Sequence, residues 1–298
     1  MVVAGAAFAA LRLLPHDPPP AVLVTPPATT EEAPTTSAMT ALTPVLASEA
    51  TDMIHQPVIN AKSYIAYDVG SNQFVLASHE NDERPIASLT KMMTGLLASE
   101  AGDPSHQVVA SATAVDVEPN IDGLLVGHKY ARSVLLYSAL LSSNNDAAAA
   151  LGEDVGGTFK RFYSMMNKRA RELGMTRTHY ASASGLNDAG NFSTARDQAI
   201  MLAQALKNPT FAQVTGTWRY SVAWPDDTTT HVYENHNKML KTFPGTIGGK
   251  TGFTTRAGLC LAVAVERNGR LMIAVILNSK DIWTEMPKLV NAAFLRPG

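Results

Sequence analysis

The chain has 298 residues, 46% of them hydrophobic, with 24 basic against 26 acidic side chains and a net charge of −2. That size and apolar content support a substantial core in one large domain or two ordinary ones, and a balanced charge without a Lys/Arg run excludes an electrostatic nucleic-acid binder. A single cysteine, Cys260, excludes an internal disulfide and gives no basis for a zinc or haem site; set in Leu259-Cys260-Leu261-Ala262-Val263, it reads as a small buried hydrophobe, and no metal or other cofactor is expected.

In chain order, residues 1–14 are apolar apart from Arg12. They are too short for a bilayer, which needs about 20 apolar residues. They resemble the hydrophobic part of an export signal or the tail of an anchor, without the positive segment that should precede it. Residues 15–57 form a Pro/Thr-rich stretch, with eight of the seventeen prolines between Pro15 and Pro44. Its composition cannot bury enough apolar surface to offset ordering entropy, which predicts a flexible linker holding a folded domain, 58–298, away from a membrane. Within that domain Ser63–Asp68 and Gln73–Ala77 read as a hairpin around Val69-Gly70-Ser71-Asn72. Leu89, Met92, Met93, Leu96 and Leu97 repeat at helical spacing and predict a mostly buried helix. A polar, turn-rich stretch from Asp116 to Gly123 follows. Helices are then expected over Ala131–Leu141, Asn145–Leu151 and Phe159–Leu173, the last ended by Gly174. Thr194 is expected to cap a helix running to Leu206, with Asp197 in its first turn, and a short helix is expected over Pro209–Val214. Strands are predicted over Trp218–Trp224, near Gly249–Gly252, over Leu259–Val265 and over Leu271–Leu277, and a final helix over Trp283–Leu295. Strands at both ends with helices between them predict an α+β fold in which the N-terminal hairpin joins a C-terminal antiparallel sheet.

Three short segments carry chemistry. Ser88-Leu89-Thr90-Lys91 puts a hydroxyl and an ammonium three residues apart on one helix face, and a desolvated lysine can take the proton that makes serine a nucleophile. Alone the motif is weak, since a chain of this size holds about one by chance. Ser142-Ser143-Asn144-Asn145-Asp146 offers Ser-x-Asn in two registers, Ser142 with Asn144 or Ser143 with Asn145, at a helix start where such residues also serve as caps. Lys250-Thr251-Gly252 opens a strand; lysine and threonine can hold a carboxylate, and Gly252 lets a ligand lie against the backbone. Together, in this order, the three make the signature of the penicillin-binding proteins and serine β-lactamases.

With these motifs, and with Pro85-Ile86-Ala87-Ser88, Leu173-Gly174-Met175, Thr178-His179-Tyr180, Gly185-Leu186, Asn235-His236-Asn237 and Phe253-Thr254 around them, the sequence resembles the low-molecular-mass penicillin-binding proteins, the D-alanyl-D-alanine carboxypeptidases, from about Lys62 to Phe294. The resemblance implies a β-lactamase/DD-peptidase-like α+β fold: a five-stranded antiparallel sheet flanked by helices, beside an all-helical subdomain, with the site in the groove between. Asp-Ala follows the middle motif in that family, which selects Ser143 and Asn145. The implied activity is removal of the terminal D-Ala from peptidoglycan stem pentapeptides through an acyl-enzyme, outside the cytoplasm, with β-lactams as covalent inhibitors; the N-terminal segment itself suggests a membrane tether. Ser88 would be the nucleophile, Lys91 its base, Ser143 the proton relay to the leaving D-Ala, and Asn145 a holder of substrate and of Lys91. Lys250 would be a second cation that lowers the pKa of Lys91. Thr251 and Thr254 would receive the terminal carboxylate, with Gly252 beside the ligand and the backbone of Phe253 in the oxyanion hole. Phe253 departs from members that carry histidine. Lys280 and Glu172 read as solvated charges. The rivals are a D,D-endopeptidase acting on cross-linked peptidoglycan; a serine β-lactamase, disfavoured because no glutamate begins a Glu-x-x-Leu-Asn segment; and a catalytically silent peptidoglycan-binding domain.

Overall fold

The computed structural model describes residues 57–117, 119–186, 189–224 and 229–297, and the backbone of Val45–Leu46. The apolar segment 1–14 and nearly all of the Pro/Thr-rich stretch 15–57 lie outside the described residues.

The central sheet is built from β1 (Ser63–Asp68), β2 (Gln73–Ser78), β3 (Thr246–Thr254), β4 (Gly258–Arg267) and β5 (Arg270–Ser279), in the spatial order β2-β1-β5-β4-β3. All five pair antiparallel, and the hairpin β1–β2 joins the C-terminal strands through β5, with Ala274 opposite Ala66. The two-residue strand Val45–Leu46 adds in parallel to the outer edge of β2. The opposite edge is β3, which carries Lys250-Thr251-Gly252.

The alternation of side chains along a strand divides the core in two. On β5, Ile273, Val275 and Leu277 face the helical body, whereas Met272, Ala274 and Ile276 face the C-terminal helix. Because both faces are buried, these strands read as unbroken apolar runs. Among the described residues the α-helices longer than one turn are α1 (Thr90–Glu100), α2 (Arg132–Tyr137), α3 (Asn145–Gly156), α4 (Phe159–Glu172), α5 (Ala195–Ala205), α6 (Pro209–Gly216) and α7 (Ile282–Phe294). Met286, Leu289, Val290 and Ala293 of α7 cover one face of the sheet. Burying Met286, Leu289 or Val290 contributes about 1.5–3 kcal/mol each. Helix α1 is buried from Thr90 through Ser99, matching its apolar repeat. Thr194 caps α5 by accepting from the Asp197 N–H at 3.0 Å, and Cys260 is fully buried. Glu172 and Lys280 are exposed.

Two elements depart from the sequence expectation. The helix expected over Ala131–Leu141 stops being an α-helix at Tyr137 and widens into a π turn, Ser138–Ser142, ending at Ser143 with φ +65°. Such wide turns shift the side chains that follow, and they recur at functional sites. The strand expected over Trp218–Trp224 forms as Arg219–Ala223 but leaves the main sheet, pairing with Thr230–Glu234 as a separate hairpin. Tyr220 of that hairpin stacks on Tyr137, with ring centroids 3.8 Å apart. Just beyond it, buried Asn235 donates to the Thr215 and Thr217 carbonyls at 3.0 Å each and accepts from the Asn237 N–H at 2.9 Å.

Replacing Asn235 by Ala should destabilise the protein by at least about 1–3 kcal/mol, since buried polar partners are left unpaired. Urea denaturation that gives an unchanged midpoint would show that the Asn235 bonds do not hold this corner.

Candidate active site

The site lies where the first turn of α1, the turn leading into α3 and the edge strand β3 meet. Ser88 does not sit on the α-helix proper. It occupies a 3₁₀ turn, Ala87–Leu89, that runs into α1. Ala87, just before it, has φ +47°, a left-handed conformation that costs a non-glycine residue about 1–3 kcal/mol and persists only where its surroundings enforce it. Gly185 presses against this turn: a Cβ there would lie 2.0 Å from the Ala87 carbonyl oxygen. From the other side comes Gly252 of β3, where a Cβ would meet the Ile86 carbonyl at 2.9 Å and the Ser88 nitrogen at 3.0 Å. The glycine therefore brings the strand edge against the backbone of the serine.

Lys91 is fully buried and makes three contacts from Nζ: Ser88 Oγ at 3.1 Å, Asn145 Oδ1 at 2.7 Å and the Ser184 carbonyl at 2.9 Å. Burial holds its pKa well below the ordinary lysine value, and the charge of Lys250 lowers it further; Asp146 acts in the opposite direction. A neutral amine has two hydrogens and one lone pair. Asn145 Oδ1 and the Ser184 carbonyl can only accept, so they take both hydrogens and leave the lone pair for the Ser88 hydroxyl. Ser184 is held in place by a braced loop: Thr94 Oγ1 donates to the Ala183 carbonyl at 2.7 Å, and Ser182 Oγ accepts from the Gly185 N–H at 2.9 Å and from Asn191 Nδ2 at 2.7 Å.

The Ser-x-Asn registers separate cleanly. Lys250 Nζ donates to Ser143 Oγ at 3.0 Å and to the Thr251 carbonyl at 3.1 Å, while Asn145 reaches Lys91. Ser142 instead points to the Glu234 carbonyl at 3.5 Å, and Asn144 donates to Ser138 Oγ at 3.1 Å. The structure thus brings Ser88, Lys91, Ser143, Asn145 and Lys250 together. Lys250 is buried, which pushes its pKa down to about 7. A groove of about 540 Å³ opens over them, lined by Ser88, Ser143, Asn145, Thr251, Gly252 and Phe253. The Phe253 ring is 64% exposed at its mouth. Thr254 stands apart: its Oγ1 accepts from the Ala257 N–H at 3.0 Å in the turn after β3, and it is not among the lining residues.

The groove also takes in residues that the motifs do not name, namely Pro119, Asn120, Leu186, Trp218, His236, Lys238 and Trp283. Trp283 carries the Lys238 ammonium 5.5 Å above its ring. His236 is exposed by area, yet partial desolvation, followed by the charges of Lys250 and Lys91, holds its pKa below the ordinary value. Some of these had a sequence signal: Asn235-His236-Asn237 and Gly185-Leu186 belong to the family resemblance. Pro119 and Asn120 lay inside a stretch marked only by turn residues. Among the described residues no group of three or more His, Cys, Asp or Glu side chains could hold a metal.

A serine placed against a desolvated lysine, on an antiparallel sheet between helical layers, defines the class of penicillin-recognising serine peptidases. The model of the D-alanyl-D-alanine carboxypeptidase family matches residues 50–281, and the chain belongs to that family. D-alanyl-D-alanine carboxypeptidase DacB2 of Mycobacterium tuberculosis is 34% identical over 219 residues, 73% of this chain and 74% of the relative. The D-alanyl-D-alanine endopeptidase of Escherichia coli is 30% identical over 80% of this chain and 78% of its own. The crystal structure of a D-alanyl-D-alanine carboxypeptidase from Mycobacterium tuberculosis is similar with a TM-score of 0.77 at 31% identity, covering 81% of this chain and 93% of that one.

A methyl group at Gly252 would displace β3 from the serine turn. Misplacement of about 1 Å costs roughly 100-fold in rate, so Gly252→Ala should slow acylation by fluorescent penicillin by about that factor. An unchanged rate would show that the strand edge does not shape the site.

Proposed function

We propose that this protein is a serine D-alanyl-D-alanine carboxypeptidase that removes the terminal D-Ala from peptidoglycan stem pentapeptides outside the cytoplasm, with 58–298 as its catalytic domain and the N-terminal segment as its tether or export signal. The observation that carries the reading is Lys91, buried, with two acceptors consuming its hydrogens and its third contact on Ser88.

The Ser88 hydroxyl attacks the carbonyl carbon of the penultimate D-Ala while its proton passes to neutral Lys91. The oxyanion forms between the backbone N–H groups of Ser88 and Phe253, which the close approach of Gly252 makes neighbours. Lys250 and Thr251 receive the terminal carboxylate, and the second Nδ2 hydrogen of Asn145 holds the substrate amide. When the C–N bond breaks, the proton travels from Lys91 through Ser143 to the leaving amine. Ser143 Oγ accepts from Lys250, so its own hydrogen remains free to be passed on. Water then attacks the ester, again giving its proton to Lys91, and releases the shortened peptide. Penicillin enters the same first half of the cycle and leaves an acyl group on Ser88. The carboxylate among the described lining residues, Glu234, is paired with Arg219 at 3.5 Å on the hairpin, which favours a persistent adduct over β-lactamase turnover.

Incubation with a stem pentapeptide, followed by mass spectrometry, should show loss of one D-Ala. Splitting of a cross-linked dimer in preference to the pentapeptide would assign an endopeptidase, and inertness towards both would overturn the enzyme reading. Ser88→Ala should take up no fluorescent penicillin covalently; labelling of that variant would move the nucleophile elsewhere.

The pH profile follows from the two lysines. Activity needs Lys91 neutral and Lys250 protonated, so the rate rises as Lys91 loses its proton and falls as Lys250 does. With the Lys250 pKa at about 7 in the free enzyme, kcat/KM should decline above neutral pH. A bound carboxylate favours the charged lysine, so the alkaline limb of kcat should lie higher than that of kcat/KM. Coincident alkaline limbs would separate Lys250 from carboxylate binding.

A further inference from the structure

We infer that Asn120, with the carbonyl of Pro119 before it, is a positioning residue for the proton relay to the leaving group. The inference rests on the carboxypeptidase reading above and concerns how its Ser-x-Asn segment is held.

The π turn holds the relay segment through its N–H groups alone, those of Ser143 and Asn144 donating to the Ser138 carbonyl, and the carbonyls of Ser142 and Ser143 are held from outside the helix. Ser143 ends the π turn with φ +65°, a conformation that a serine adopts only under constraint. Beyond the bond to Ser138, the constraint comes from Asn120. Its Nδ2 donates to two consecutive carbonyls, Ser142 at 3.0 Å and Ser143 at 2.8 Å, so the peptide units on both sides of Ser143 are fixed. The Asn120 carbonyl accepts from the Asn145 N–H at 2.8 Å, which fixes the next turn as well. Next to it, the Pro119 carbonyl accepts from Asn145 Nδ2. That bond decides which way the amide lies: Nδ2 faces Pro119, so Oδ1 faces Lys91. One dipeptide therefore sets both the Ser143 hydroxyl against Lys250 and the Asn145 oxygen against Lys91.

The dipeptide is itself anchored. The carboxylate of Asp146, 1% exposed, accepts from the N–H groups of Asp122 at 2.9 Å, Gly123 at 2.9 Å and Leu124 at 3.1 Å. The loop and the motif thus hold one another: Asp146 fixes the loop, and the loop fixes Ser143 and Asn145. Asn120 has φ +61°, so it also sits in the left-handed region, where asparagine is tolerated better than most side chains.

This role has a chemical signature. Ser143 matters when the leaving group is an amine, which departs only with a proton; a thiolate leaves without one. The test compares an acyl-D-Ala-D-Ala peptide with the matching thioester, using wild type, Ser143→Ala, Asn120→Gly and Asn120→Asp. Glycine keeps the positive φ at no steric cost and removes the two donors. Aspartate keeps the shape but sets a carboxylate against two carbonyls. Asn120→Gly should lose roughly 100-fold in kcat on the peptide, the order of a lost proton-transfer group, with thioester turnover within about threefold of wild type, as expected when leaving-group protonation is not needed. Asn120→Asp should lose at least as much. Asn145→Asp, measured alongside, should slow both substrates because it disturbs Lys91.

Equal losses of Asn120→Gly on peptide and thioester would overturn the inference and leave Asn120 a general support of the fold, as would wild-type kinetics on both. If Ser143→Ala itself shows no peptide-over-thioester selectivity, the relay assigned to Ser143 fails; if wild type turns over neither substrate, the carboxypeptidase reading fails. Thermal unfolding of each variant separates a misfolded protein from a mispositioned relay, and the Asn120→Gly result counts against the inference only when its Tm matches wild type.

Discussion

The structure depends on a lysine kept out of water. Lys91 is buried with no acidic partner in hydrogen-bond contact among the described residues; its partners are an amide oxygen, a backbone carbonyl and the Ser88 hydroxyl. Burying an ammonium without a counter-ion is unfavourable, and the group responds by giving up its proton. Lys250, also buried and aimed at the same site, adds electrostatic pressure in the same direction. In the proposed reaction the reactivity of Ser88 is a consequence of this desolvation, and the surrounding architecture serves to maintain it.

That architecture explains features that would otherwise look like strain without purpose. Gly185 lets the Ser184 carbonyl come against Lys91, and Gly252 lets the sheet edge come against the serine turn. Ala87 and Ser143 both hold positive φ, one beside Ser88 and one against Lys250. Each is fixed by neighbours distant in the chain: Ala87 by the loop at 185, Ser143 by the loop at 120. The sheet supplies the rigid reference. Buried on both faces along β4 and β5, it fixes β3 as an edge whose alternate side chains, Lys250 and Gly252, face the serine.

The groove continues past the reacting centre to Trp218, Lys238 and Trp283, which come from the hairpin, the loop after it and the start of α7. Neither tryptophan belongs to a motif. Trp218 is brought there because the adjoining strand Arg219–Ala223 leaves the main sheet, an outcome that alternation alone does not forecast: a half-buried strand has the same pattern whichever partner it takes.

The sequence by itself determined a good deal. The buried runs of β4 and β5, the hairpin β1–β2, the apolar face of α1 and the cap at Thr194 are local patterns, set by burial period and by side-chain hydrogen bonding within a few residues. The three motifs likewise name Ser88, Lys91 and Lys250, which the fold brings to one site. Only the tertiary structure decided the rest. The family resemblance selects Ser143 and Asn145 over Ser142 and Asn144, but the physical reason lies in a π turn, whose wider winding rotates the side chains that follow. Thr254, expected at the carboxylate with Thr251, also serves the turn after β3, where its Oγ1 accepts from the Ala257 N–H. Ser184 acts through a carbonyl and Pro119 likewise, and every residue has a carbonyl, so no side-chain pattern could mark them. Which backbone oxygen meets a buried lysine is settled by packing between segments far apart in the chain, and there the sequence is silent until it has folded.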